Sequence, residues 1–428
     1  LTSIVGASRR VFLQAGAATV AALALKGSRA AARAKAPRVV VVGGGFAGAT
    51  AAKYLRKWSN GEIDVALVER GSEFVSCPLS NLVLGGSRQI ADLTVPYDGL
   101  DRWGVRRVHG EALEIDPPRR MLRLAGGAKL AYDRLILAPG VDFMWTEIPS
   151  LAAPEAQQRV LHAWKAGAQT VALRRQLEAM RDGGVFVMHI PTAPYRCPPA
   201  PYERACQVAR YFLEQKKKSK VIILDANEDV QSEKDLFTTA WNGRYQGYVE
   251  YRPNSSLIDV EVPTLTAKLD FEDVKADVLN IIPPQHAGAV ARALGMANAN
   301  GRFCQVDFLT YESTAQRGIH VLGDAIQPAE LMPKSGHMAN QHAKVCAAAV
   351  VALLTGGEVN PEPVLTNACY SYIDAAEVAH SVSVHRFEPK EGTMRVVSGS
   401  SAVSPTPNAE EAAYAAAWAR NIWADMLT

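Results

Sequence analysis

The run Arg38 to Val42 is apolar and β-branched, breaks at Gly43-Gly44-Gly45-Phe46-Ala47-Gly48, and resumes as an alanine-rich helical stretch through Trp58. The pattern reads as strand, glycine turn, helix. It limits the fold more than any other segment. Glycines in this setting let the backbone approach a pyrophosphate, and the helix N-terminus turns the positive end of its dipole toward that group. A second strand, Asp64 to Val68, ends on Glu69, at roughly the 20-residue offset where an acid meets an adenosine ribose. The glycine spacing alone is a weak signal; with the strand before it, the helix after it and the acid, it becomes specific. Gly43, Gly45, Gly48 and Glu69 are therefore predicted to hold a dinucleotide.

Two later turns complete a pattern. Arg134 to Ala138 is a strand running into Pro139-Gly140, and Gly318 to Leu322 is a strand ending in Gly323-Asp324 before a helix. In this order the three signatures resemble the two-dinucleotide-binding flavoprotein family. That resemblance implies FAD in the first turn, a crossing to a middle domain at Pro139-Gly140, and Asp324 on the ribityl chain. The expected fold is α/β, with an FAD domain from residues 37–149 and 281–360 and a second Rossmann-like domain from 150–280. A small C-terminal α+β interface domain from 361–428 would cover the flavin.

The middle segment repeats the pattern as strand Val185 to Ile190, a loop, a helix from about Tyr202 to Leu213, and strand Val221 to Leu224 ending on Asp225. The loop, Pro191 to Glu203, carries five prolines. They fix φ and remove amide donors, so no donor-rich cradle for a second pyrophosphate is expected and the nicotinamide-type domain is read as degenerate. Beyond Asn367 the alternation gives way to short β-like pieces such as Ser381 to Phe387, a polar loop from Ser398 to Pro407, and a final helix near Glu410 to Met426.

The net charge of +3 is produced by the first 36 residues, which hold six basic side chains and no acid. The remainder balances 40 basic against 43 acidic residues, which argues against a nucleic-acid surface. Ser8-Arg9-Arg10-Val11-Phe12-Leu13, the apolar stretch Ala15 to Leu25 and the small-residue sites near Ala34 and Ala36 read as a twin-arginine export signal over residues 1–36. The stretch is about half the roughly 20 residues a membrane span needs. A cofactor protein of the bacterial periplasm, with no transmembrane segment, is implied.

Six cysteines are too few for a disulfide scaffold. No C-x-x-C-H occurs, so the chain itself attaches no c-type haem. Cys197 lies in the proline loop, and Cys369 opens the segment expected to close over the flavin. The two stand as a bonded pair or as inert buried thiols. Cys206, Cys346 and Cys304, the last at the start of an apparent strand, read as structural. The nine histidines form no ligand cluster, and no metal site is predicted. Tyr414, Trp418, Ile422 and Trp423 form an apolar stripe at helical spacing, of the kind that packs on a domain.

Ser76-Cys77-Pro78-Leu79-Ser80-Asn81, the loop Pro194-Tyr195-Arg196-Cys197-Pro198-Pro199, Asp324-Ala325, Met332-Pro333-Lys334-Ser335-Gly336 and Asn367-Ala368-Cys369 together resemble the flavoprotein subunit of flavocytochrome c sulfide dehydrogenase, in order, from about Pro37 onward. The resemblance implies an 8α-thioether from Cys77 to FAD and a redox-active disulfide of Cys197 with Cys369. It also implies a nearby carboxylate at Glu203, Lys334 in the cofactor site, and Trp418 toward a partner cytochrome c subunit of one or two haems. Sulfide would open the disulfide, and the freed thiolate would pass electrons to the flavin. A sulfide:quinone reductase, and a non-catalytic flavoprotein module in a sulfur-oxidising complex, are the competing readings.

Overall fold

In this computed structural model the described residues are 36–428, so the expected export signal, its last residue apart, lies outside them. The chain begins with β1 (Arg38–Val42), α1 (Phe46–Trp58), β2 (Asp64–Glu69), β3 (Arg106–His109) and β4 (Arg134–Leu137). It then builds a second unit from β5 (Val185–Ile190), α2 (Ala200–Gln215), β6 (Lys220–Asp225), α3 (Lys234–Asn242), β7 (Val249–Arg252) and β8 (Val278–Ile281). It returns with β9 (Ile319–Val321) and α4 (Gly336–Thr355). It ends in β10 (Val364–Tyr372), β11 (Val378–Glu388), β12 (Thr393–Val396) and α5 (Ala409–Leu427).

The first sheet has the order β9-β4-β1-β2-β3, with every pair parallel. Val40 of β1 sits between Ala66 and Leu135. Buried on both faces, β1 is a continuous valine run rather than an alternating one. The second sheet, β7-β6-β5-β8, is also parallel throughout. The expected α/β fold with two Rossmann-like sheets is therefore what the chain forms. The second sheet ends at Ile281, one residue into the range assigned from sequence to the first domain.

The C-terminal segment departs from its expected short pieces. β10 and β11 pair antiparallel over nine residues, with Cys369 opposite Ser381. Their Ser, His and Tyr content hides long strands from a pattern reading, because one face packs on the protein while the other stays half-buried. The buried stripe of α5 is Ala415, Ala419, Ile422 and Met426, whereas Tyr414 is half-exposed, so the packed face is rotated from the predicted one. Lys53 of α1 holds α5 in place by donating to the carbonyls of Ala424 and Asp425 at its C-terminus, where the helix dipole favours a cation. Cys304 makes an isolated bridge to Ile326 and starts no strand.

A Cβ at position 48 would stand 1.7 Å from the Gly43 carbonyl oxygen, whereas one at position 45 meets nothing within 4 Å. Gly48→Ala is therefore expected to cost more than about 2 kcal/mol, and Gly45→Ala to leave stability unchanged. Thermal melts of the two variants check the contrast.

Candidate functional site

The glycine turn lies at the carboxyl ends of the first sheet's strands, the edge where open parallel sheets take ligands. Three of its four glycines, Gly43, Gly45 and Gly48, do different work. Gly43 has φ +99° and leaves no room for a Cβ beside the Ala138 carbonyl, and Gly48 lets α1 pack on the turn. Gly45 alone of the three borders a cavity of about 410 Å³. Glu69 also borders it. Its carboxylate accepts from the Gly44 N–H at 2.6 Å and the Gly71 N–H at 2.7 Å, fixing the turn from the end of β2. Ala138 and Gly140 line the wall, whereas Pro139 is packed against Gly288 and does not. Gly43, Gly48 and Pro139 thus shape the turn from outside the cavity lining.

Asp324 reaches the cavity from the turn after β9. The residue is half-buried, its Oδ1 is out of reach of solvent with no hydrogen-bond partner, and desolvation raises its pKa against the pull of Arg196 and Lys334. An unsatisfied buried acceptor costs about 1–3 kcal/mol, so this oxygen is an address for a donor such as a hydroxyl.

Cys77, Cys197, Glu203, Cys369 and Trp418 border the same cavity. The cysteines are free thiols in this structure, so the expected Cys197–Cys369 bond is not formed in it. Cys197 sits at φ +57°, a left-handed conformation that disfavours residues with a Cβ. Its N–H donates to the Lys334 carbonyl at 2.8 Å, and its carbonyl accepts from the Ala200 N–H to start α2. Other loop amides are occupied as well: Ala193 donates to Asn227 Oδ1 and Arg196 to Gln285 Oε1.

On the opposite strand, Asn367 Nδ2 donates to Cys369 Sγ at 3.3 Å. Burial raises both thiol pKa values, Cys369 to about 11; Cys369 and Glu203 further oppose ionisation of Cys197, with Arg196 pulling the other way. The pocket favours protonated or bonded sulfur over a lone thiolate. Cys77 Sγ accepts from the Ala166 N–H at 3.5 Å.

Lys334 is placed differently from expectation. Its ammonium donates to the carbonyls of Asp324 and Ile326 and stands 3.9 Å over the Phe303 ring, away from the cavity wall. It fixes the turn that carries Asp324. Trp418 borders the cavity on one side and an outer groove on the other, with its ring against His337 and Tyr370.

Sequence reasoning passed over Arg196, a half-buried guanidinium in the cavity wall beside Cys77 and Asp324, and Arg204, which donates to Asn81, His162, Ala163 and Asn280. Both stand next to residues that were singled out, and adjacency to Cys197 and Glu203 was the available signal. Among the described residues no cluster of His, Cys, Asp and Glu is arranged to hold a metal.

Comparisons with known proteins cover most of the described chain. Residues 170–283 match the family model for the central part of the sulfide dehydrogenase [flavocytochrome c] flavoprotein chain, and 361–427 that for the flavin-binding part of flavocytochrome c sulphide dehydrogenase. Residues 37–181 match the pyridine nucleotide-disulphide oxidoreductase model. Over 46 residues the chain is 63% identical to the sulfide dehydrogenase [flavocytochrome c] flavoprotein chain of Chlorobaculum thiosulfatiphilum, covering 11% of this chain and 94% of that sequence. It is 22% identical to the mitochondrial sulfide:quinone oxidoreductase of Mus musculus over 67% of this chain, a match spanning only 65% of that relative's length. The solved sulfide:quinone oxidoreductase of Aquifex aeolicus superposes with a TM-score of 0.75 at 17% identity, covering 91% of this chain and 92% of that one, which shows a shared fold.

Burial pushes the Glu203 carboxyl up to about 8, with Glu233 adding to the shift. The folded chain therefore keeps a proton that the unfolded chain gives up in the usual carboxylate range. Stability from this group is present at acid pH and is lost as the pH rises toward 8. Glu203→Gln is expected to flatten that decline, by up to about 4 kcal/mol at the alkaline end. Denaturant titrations at acid and mildly alkaline pH measure it.

Proposed function

The chain belongs to the flavoprotein-chain family of flavocytochrome c sulfide dehydrogenase, and from that premise we propose that it oxidises sulfide with a bound FAD and passes the electrons to a separate haem c protein in the periplasm. The observation that carries the reading is the meeting of Cys197 and Cys369, about 170 residues apart in sequence, in one cavity with the glycine turn.

The residues present fit FAD. Gly45 leaves open space at the N-terminus of α1 for a pyrophosphate, Glu69 stands where a ribose would be met, and the orphaned Asp324 Oδ1 suits a ribityl hydroxyl. Cys77 would carry the covalent 8α bond. FAD, when bound, supplies a two-electron acceptor that can release electrons singly to a haem.

In the oxidised pair, hydrosulfide attacks one sulfur of the Cys197–Cys369 bond. That S–S bond breaks, a new one forms in a persulfide, and the electron pair leaves on the other cysteine as thiolate. Arg196 and the Asn367 amide are the groups placed to stabilise the thiolate. Glu203 receives the proton of the incoming sulfur. A second sulfide then removes the bound sulfur as polysulfide or elemental sulfur. The prolines of this loop, and the engagement of its Ala193, Arg196 and Cys197 amides, support a reading in which sulfide rather than a nicotinamide is the electron source.

Anaerobic sulfide is expected to bleach the flavin of the wild-type protein, and Cys197→Ser or Cys369→Ser to keep the flavin but lose the bleaching. Full bleaching in both variants rejects the mechanism, and none in the wild type leaves a non-catalytic module. Yellow colour retained in an acid-precipitated pellet, and lost in Cys77→Ser, tests the thioether. The fold shared with a sulfide:quinone oxidoreductase supports a quinone as the second reading for the acceptor. Stopped-flow reoxidation is expected to be fast with cytochrome c and slow with a soluble quinone analogue; the reverse order selects the quinone.

A further inference from the structure

Asp225 closes β6, the position from which an acid in a Rossmann unit ordinarily reaches a ribose. Here the residue is fully buried and stands outside the cavity lining, and its carboxylate is filled by groups of its own chain. Oδ2 accepts from the Tyr202 hydroxyl at 2.7 Å and the Tyr251 hydroxyl at 3.1 Å. Oδ1 accepts from the Asn227 N–H at 3.0 Å and from Asn227 Nδ2 at 2.7 Å. Hydrogen bonds to a desolvated carboxylate are stronger than neutral ones, and through Asn227 and Tyr202 these lead to the loop that carries Cys197. Asn227 Nδ2 also donates to the Pro191 carbonyl at 3.1 Å, and Asn227 Oδ1 accepts from the Ala193 N–H at 3.0 Å. Tyr202, in the first turn of α2, closes the far side, where its hydroxyl also lies 3.5 Å from that of Tyr195.

We propose that Asp225 is a positioning residue for the reacting sulfurs: it clamps both ends of the loop from Pro191 to Tyr202 and so holds Cys197 where it bonds Cys369. The catalytic consequence rests on the sulfide-oxidising reading. Every turnover must return the two cysteines to one S–S bond, a step in which two thiols give up two electrons and two protons, and FAD, when bound, accepts them. That bond needs Cα atoms within about 7 Å. Cys197 also holds a left-handed backbone at φ +57°, a conformation that persists only where the surroundings over-determine it. Its own ties, to the Lys334 carbonyl and the Ala200 N–H, secure only the middle of the loop. Asp225 secures the two ends.

Tyr251 supplies the contrast that separates positioning from general stability. It belongs to β7, donates to the same Oδ2, and stacks on Trp241 with ring centroids 5.5 Å apart. Its hydroxyl shares the carboxylate with Tyr202 but makes no hydrogen bond to the Cys197 loop. Removing the Tyr251 hydroxyl takes one donor from Asp225 and leaves both ends of the loop tied. Removing the Tyr202 hydroxyl takes one donor as well, and frees the end from which α2 starts.

The test uses the full-length, flavin-loaded protein equilibrated anaerobically in mixtures of reduced and oxidised glutathione, with the Cys197–Cys369 bond counted by alkylation and mass spectrometry. In that exchange two glutathione thiols reduce the bond, leaving two cysteine thiols and one oxidised glutathione. Asp225→Asn, which sets an amide donor against the other donors, and Tyr202→Phe are each expected to lower the equilibrium constant for closing the bond about tenfold, with flavin content unchanged. Anaerobic bleaching by sulfide is expected to slow about tenfold as well, while reoxidation of the reduced flavin keeps its wild-type rate. Tyr251→Phe is expected to leave closing and bleaching as in the wild type. If Asp225→Asn fails to fold, Tyr202→Phe carries the test. Wild-type closing in either of the first two variants overturns the proposal, as does an equal loss in Tyr251→Phe, or a wild type that forms no bond at any glutathione ratio. If sulfide fails to bleach even the wild type, the functional reading falls, and the glutathione equilibrium still decides whether Asp225 positions the pair.

Discussion

Cys197 and Cys369 are held by one dipeptide, Lys334-Ser335. The Lys334 carbonyl takes the Cys197 N–H, while the Ser335 hydroxyl binds Asn367 Oδ1 at 2.6 Å and the same amide donates to Cys369. The Lys334 ammonium pins this turn to the carbonyls after β9, and the Ser335 hydroxyl also accepts from the Met338 N–H to start α4. Three parts of the chain, the proline loop, the turn before α4 and β10, are thereby joined at one point. A rigid joint of this kind matters because thiol exchange depends on the approach of one sulfur to another, and small displacements of either carrier are costly in rate.

The electrostatics of the cavity follow from the same closure. Its groups are taken out of water, and the raised thiols, the raised Glu203 and the raised Asp324 all express burial as the largest cause. Arg196 answers Cys197 and Asp324 from the cavity wall, and Arg204 answers Glu203. The site is thus arranged to hold neutral acids and sulfur, with charge appearing only where a partner stands ready for it.

The first sheet was legible because a buried parallel strand writes itself as an unbroken valine run and its glycine turn has few alternatives. The cysteine wall was legible in part: Cys77, Cys197, Glu203 and Cys369 all border the cavity. Lys334 was placed in the cofactor site by resemblance, and only the fold reveals the carbonyls that its ammonium meets. Glu233 left no trace in sequence, since an acid between Ser232 and Lys234 reads as a solvated helix start. Its burial is imposed by β10 and β11, whose long pairing the Ser- and His-rich pattern concealed. Local periodicity records which face of an element is dry, and it carries no record of what a distant strand will cover.

Trp418, His337 and Tyr370 each belong to the inner cavity and to the outer groove at once. Three aromatic side chains are thus common to both spaces, so whatever enters the cavity and whatever docks in the groove would meet on opposite sides of the same rings.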